Sequence, residues 1–236
     1  MSNLSMRILK TLLVLVIPII LILGSGRLLA TDAYLAFEYG KDSFPPDSYG
    51  FSPGQRFILA STNIHYVRAH LPNNELSKQT LNSVPVYSER EVTHMADVKE
   101  IFQVVLRVWQ VAFILFLLLG IMFWQNGQRK AFASAVQSGG LLTSGLILTI
   151  ALLAVFAWQT WFDLFHRFLF VPGSWLFSYS DALIRLFPVK FWLDATLTIS
   201  LLGFVGGLLL VLIGRQWQIA IEKSSRRHGW SSTFEH

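Results

Sequence analysis

Four stretches of this chain, residues 8–30, 101–124, 141–161 and 195–214, are apolar for about 20 residues or more. A hydrocarbon core of roughly 30 Å takes about 20 apolar residues to cross as a helix. Inside lipid every backbone polar group must be satisfied within the segment, so each stretch is predicted to be helical. The composition agrees: 53% of the residues are hydrophobic and only 14% are charged, which is not the balance of an ordinary water-soluble domain. The fold class expected is therefore an all-α integral membrane protein with four transmembrane helices.

The first stretch has a second reading. Arg7 and Lys10 followed by "TLLVLVIPIILILG" and small residues also describe a secretory signal peptide. The cleavage consensus is poor, with Leu28 two residues before Ala30, and Pro18 is tolerated in a membrane helix, so it is taken as a span that is retained. Arg27 interrupts it.

Charge at the span ends sets an expected orientation. With the N-terminus inside, the cytoplasmic pieces carry Arg7, Lys10, Arg129, Lys130, Arg215, Lys223, Arg226 and Arg227. The loop 31–100 then lies outside with nine acidic and six basic residues, and a second outer loop spans 162–194. Both termini are thus expected in the cytoplasm. The net charge of +5 follows from this asymmetry and carries no argument for nucleic acid. The absence of cysteine removes disulfides, thiolate metal ligands and a thiol nucleophile. No nucleophile elbow, P-loop or dinucleotide fingerprint is present, and no cofactor is expected.

A loop as long as 31–100 should hold structure of its own. Ser52, Pro53 and Gln55 form a capping box with proline at the first helical position, which predicts a helix over 53–69. Ser88 and Glu91 repeat the signature and start a helix near Glu89 that continues into the second span. Counted to Trp124 that helix is roughly 54 Å long, so its first turns stand at or above the outer interface. The stretch "VYSEREVTHMADVKEIFQVV" thereby places His94 at the lip of a span, on one face with Glu91, Asp97 and Val98. At the outer end of the third span, Asp163 and His166 are three apart and face together. The loop that follows is loaded with aromatic residues, and Ser180 is expected to cap a short helix ended by Pro188. It looks built to lie in the interface plane.

Span two descends and span three returns, so His94 and His166 share the outer leaflet, each beside a carboxylate. Two such histidines point to function rather than to ordinary interfacial polarity. Arg107, inside span two, needs a partner such as Asp97 or a lipid phosphate. His65 and His70, five apart, do not share a helical face. A metal site from His65, His70, His94 and His166 lacks any ligand spacing, and no metal is expected.

Three blocks, "FSPGQR…IHYV", "YSEREVTHMADVKEIF" and "FHRFLFVPGSWLF…DALIRLFPVKFW", resemble the lipoprotein intramolecular transacylases of bacterial cytoplasmic membranes. The likeness covers the chain from about Tyr49 to Asp194, with Leu169 and Phe170 standing where a pair of Phe is expected. The resemblance implies an enzyme that moves the sn-2 acyl chain of a diacylglyceryl-cysteine to the α-amino group of the same cysteine. Its partners would be a diacylated lipoprotein and membrane lipid. It implies His94 and His166 as the essential pair. His94 is cast as base and later acid and His166 as orienting or oxyanion partner, an order of roles that the sequence leaves open. Supporting or substrate-binding candidates are Arg90, Glu91, Asp97, Arg107, Asp163, Trp175 and Asp181. The competing reading is a non-catalytic membrane sensor or assembly protein whose outer loop binds a partner.

Overall fold

The computed structural model describes residues 3–69, 72 and 74–231, with the backbone alone at residue 3 and over 226–231. In chain order it contains α1 (Asn3–Leu29), α2 (Asp32–Tyr39), α3 (Pro53–Arg68), a 3₁₀ turn (Leu76–Lys78), β1 (Thr80–Leu81) and β2 (Val84–Pro85), followed by α4 (Glu89–Gln125), α5 (Arg129–Phe156), α6 (Trp158–Leu169), α7 (Ala182–Leu186) and α8 (Val189–Ser231). Among the described residues, four helices are long and apolar enough to cross a membrane: Leu4–Leu29, Glu89–Gln125, Arg129–Phe156 and Val189–Ser225. The chain is an all-α multi-pass membrane protein.

The described residues cluster into two compact units. One draws on residues 3–24, 108–149 and 200–231. Its seam is made by small residues. A Cβ on Gly140 of α5 would meet the Gly207 carbonyl oxygen at 2.5 Å, and one on Gly207 would meet Ser144 Oγ at the same distance. Only glycine lets these backbones approach so closely, and close approach supplies the packing that lipid cannot drive. Further along the seam, Gln218 Nε2 donates to Gln137 Oε1 at 2.8 Å. Leu13, Leu119, Phe123 and Ala135 form the buried centre of this unit, and Trp109 Nε1 donates to the Ile20 carbonyl.

The other unit comprises Ser25–Arg107 and Ile150–Ile199. Its core includes Leu35, Ala60, Tyr66, Leu76 and Leu186, contributed by α2, α3, the 3₁₀ turn and α7. Both predicted capping boxes are present. Ser52 accepts from the Gln55 N–H while the Gln55 side chain accepts from Ser52 N–H. Glu91 Oε2 accepts from both the N–H and the hydroxyl of Ser88. The buried Glu38 is held by Lys41 at 2.6 Å, and the same ammonium reaches Asp194 at the start of α8 at 3.0 Å.

The sequence does not announce the β-hairpin. Asn82 and Ser83 both take positive φ, 52° and 64°, the backbone of a two-residue primed turn.

Two expected boundaries are corrected. The third membrane helix stops at Phe156 rather than near 161, because Ala157 is non-helical at φ −144° and ψ 46°, and α6 starts afresh. Trp158, Trp161, Phe162, Phe165 and Leu169 fall on one face of α6, the pattern of a helix that lies along an interface rather than through it. Ser180 does not cap the short helix. Asp181 occupies the N-cap of α7 without a side-chain cap, its carboxylate accepting from the Ser178 N–H at 2.7 Å instead.

Candidate active site

His94 projects from the second turn of α4 and is 8% exposed. The sequence placed it at a wet lip. In the structure an aromatic loop covers it, with the Phe170 and Phe177 rings 4.9 and 5.4 Å from the imidazole centroid. His166 lies on α6 and is half-buried. Its ring contacts Phe162 at 3.9 Å, Phe170 at 5.7 Å and Trp175 at 5.6 Å. Phe170 therefore bridges the two imidazoles, which are close enough to interact electrostatically.

The hydrogen bonding of the two rings differs. His166 Nδ1 sits 2.8 Å from the Phe162 carbonyl. A carbonyl only accepts, so Nδ1 carries the proton and Nε2 presents a lone pair. Burial lowers the His166 pKa from the usual imidazole value, against the pull of the Phe162 carbonyl and the Asp163 charge, which favour the protonated form. His94 makes no hydrogen bond to any described residue, and its buried Nδ1 has no partner. Trp175 Nε1, whose ring packs against His166, is buried and unpartnered as well. Polar atoms in such surroundings normally find a partner, so the two mark a place where a ligand's polar atoms fit.

The loop that brings Phe170, Trp175 and Phe177 to the histidines is tied down by α4. Arg90 Nη2 donates to the Leu176 carbonyl at 2.6 Å, and its guanidinium lies 5.0 Å from the centroid of the Phe177 ring. Asp181 completes this clamp at 3.8 Å from Arg90. Glu91 is 3% exposed and does more than cap α4: its Oε1 accepts the Leu183 N–H at 2.9 Å, joining the head of α4 to the first turn of α7.

Of the candidates read from sequence, Arg90, Glu91, Trp175 and Asp181 thus gather with the two histidines. Asp97 does not: it makes no hydrogen bond or ion pair with any described residue. Asp163 forms its ion pair with Arg167, at 3.9 Å, and reaches His166 only through space. Arg107 is exposed and has no ion pair among the described residues, so Asp97 is not its partner. His65 pairs with Asp32 at 2.9 Å in an exposed position, and His70 lies outside the described residues. The sequence reading missed Phe170 and Phe177 as walls of the site, because one aromatic residue among many carries no local signal of its role.

A family model described as lipoprotein intramolecular transacylase Lit matches residues 11–192. The chain belongs to the Lit family. An uncharacterized protein of Aquifex aeolicus is 30% identical over 216 residues, which cover 88% of this chain and 94% of that one. The in meso structure of the Lit transacylase from Bacillus cereus has a TM-score of 0.76 at 18% identity, over 95% of this chain and 100% of that one. A histidine-to-arginine variant of the Bacillus cereus protein has a TM-score of 0.65 at 20% identity, covering 93% and 95%. The Lit family acts on lipoproteins in the membrane, and the His94–His166 cluster lies within the matched residues.

Proposed function

We propose that this Lit family member transfers the sn-2 acyl chain of a diacylglyceryl-cysteine to the α-amino group of that cysteine, leaving the N-acyl, monoacylglyceryl form. The amine nitrogen bonds to the ester carbonyl carbon, the bond from that carbon to the sn-2 oxygen breaks, and the amine proton ends on that oxygen. Nucleophile and ester belong to one molecule, so attack closes a ring of roughly eight atoms, and proximity does much of what a covalent acyl-enzyme would.

The observation that carries this reading is the hydrogen bond from His166 Nδ1 to the Phe162 carbonyl. It leaves Nε2 free to take the amine proton and return it to the departing oxygen. This favours His166 as the base, a choice the sequence leaves open, with His94 across Phe170 as the partner that polarises the ester or holds the developing oxyanion. Trp175 Nε1 is a donor of the kind an oxyanion needs. Both histidines face the outer leaflet in this reading, and both termini are cytoplasmic.

The test is mass spectrometry of a lipoprotein's N-terminal lipopeptide from cells carrying the wild type, His94→Ala, His166→Ala or His65→Ala at matched membrane levels. General acid–base help is worth roughly 10²–10⁴ in rate. The first two variants should therefore lose the N-acyl product and the third should keep it. Near wild-type conversion in both cluster variants would replace the catalytic reading with that of a partner-binding membrane protein.

A further inference from the structure

A cavity of about 520 Å³ opens between the end of α2 and the start of α3, lined by Ala36, Tyr39, Phe44, Phe57 and Arg56 among others. It shares no residue with the histidine cluster. Arg56 is 6% exposed, its guanidinium 5.2 and 4.8 Å from the ring centroids of Tyr39 and Phe44. Its Nε donates to the Arg185 carbonyl at 2.7 Å and its Nη1 to the Pro45 carbonyl at 2.6 Å. Both partners are neutral.

The carboxylate whose charge reaches Arg56 is that of Asp47, and it is taken. Asp47 holds the Arg185 guanidinium through bonds of 2.9 and 3.0 Å and also accepts the N–H groups of Tyr49 and Phe51. Two guanidiniums therefore share one saturated carboxylate, and Arg56 has no ion pair among the described residues. A buried cation left uncompensated is costly, and such charges are ordinarily paired. An open cavity at that cation is where the missing negative charge fits.

What anion comes there follows from where the walls are anchored. α2 starts three residues after the end of the membrane helix α1 and is about 12 Å long. Arg185 is four residues before the start of α8. Phe37 on α2 and Ile58 on α3 are exposed apolar residues, as suits surfaces beside lipid. The prevalent monoanion at that depth is the phosphodiester of a phospholipid. We propose that this cavity binds the phosphodiester headgroup of a membrane phospholipid, with Arg56 as its anion-binding residue and the aromatic walls against the glycerol and upper acyl carbons. A guanidinium is suited to the task because its planar fork matches phosphate oxygens.

The experiment titrates the full-length protein in a nonionic detergent with dihexanoyl phosphatidylglycerol, dihexanoylglycerol, inorganic phosphate and an acidic peptide, reading the shift in Tm. Only the phospholipid should give a saturable rise. Two variants locate it: Arg56→Gln removes the charge, and Ala36→Trp fills the cavity from an exposed position on α2 while leaving Arg56 in place. Each should weaken the apparent affinity by about tenfold or more, the value of a charge-assisted hydrogen bond. If Arg56→Gln does not fold, Ala36→Trp alone decides. Equal stabilisation by dihexanoylglycerol or by free phosphate, tighter binding of the acidic peptide, or wild-type affinity in Ala36→Trp would each overturn the proposal. Because binding itself is read, failure here leaves the transacylase reading untouched.

Discussion

The Glu91 carboxylate accepts the backbone N–H of Leu183 at 2.9 Å, a contact between positions 92 residues apart. The other oxygen of the same carboxylate closes the capping box with Ser88. One side chain thus fixes both where α4 begins and where α7 begins, and the aromatic loop that covers the histidines hangs between them. Glu91→Ala leaves the buried Leu183 N–H unpartnered, at about 1–3 kcal/mol, and removes a cap worth about 1 kcal/mol. Ser88→Ala loses the cap alone. The expected result is a larger fall in both Tm and acyl transfer for Glu91→Ala than for Ser88→Ala. Matched losses in the two variants would reduce Glu91 to a helix cap.

The second prediction concerns pH. Burial holds the His166 pKa below its usual value of 6.5, so the imidazole is neutral through the neutral range. If its Nε2 is the base, transfer should persist as pH falls to 6.5 and decline only below it, as the ring takes up a proton. Asp163 favours the imidazolium, so Asp163→Asn should move the acid limb to lower pH still. The shift should be small because His166 is half exposed to screening. A pH–rate profile of the purified protein on a diacylated lipopeptide measures both. An acid limb above 6.5, or one that moves upward in Asp163→Asn, contradicts the assignment.

Much of the fold was legible because it rests on local or compositional rules. The four membrane helices follow from runs of apolar residues, and the helix starts at Pro53 and Glu89 follow from capping boxes that satisfy orphan N–H groups within four residues. The break at Ala157 was missed because residues 158–161 are apolar enough to read as more of the same span, and only the one-sided pattern of 158–169 separates them. His94 and His166 could be picked out, but their cover could not. The packing of Phe170 on His94, the Leu183 bond of Glu91 and the Arg185 bond of Arg56 join residues roughly 75 to 130 positions apart, and no sequence periodicity encodes such pairings.

Chelation gives a third prediction. With no cysteine in the chain, and with His166 Nδ1 already committed to a carbonyl, the histidine cluster offers few ligands to a transition metal. Acyl transfer should survive a strong chelator unchanged. Loss of transfer in EDTA with recovery on adding zinc would replace the general-base reading with a metal site.

Orientation is open to a direct measurement. The basic residues Arg129, Lys130 and Arg215 flank the same ends of the spans as Arg7 and Lys10, which by the positive-inside rule belong in the cytoplasm. Reporter fusions after Lys130 and after His236 should read as cytoplasmic and one at Asn73 as external. A reversed pattern would put the histidines on the wrong side of the membrane for the proposed reaction.

The last prediction separates stability from chemistry. The Asp47 side chain is almost fully buried and that of Arg185 largely so, and their two hydrogen bonds pin the loop before α3 to α7. Hydrogen bonding to Arg185 holds the Asp47 carboxyl at about 2, below its ordinary value of 3.8. A carboxylate with a depressed folded pKa contributes stability above its unfolded pKa and loses it as pH falls toward the folded one. The contribution should therefore be complete at neutral pH and disappear between about 4 and 2. Asp47→Asn and Arg185→Gln each strand a buried partner, and breaking one side of such a pair costs about 3–5 kcal/mol. The double variant should cost less than the two single losses added, because neither charge is then left alone. Thermal unfolding of the four proteins at pH 7 and pH 3 measures this coupling. Additive losses at pH 7 would show that the two residues act independently, and an equal coupling at pH 3 would show that it does not depend on the Asp47 charge.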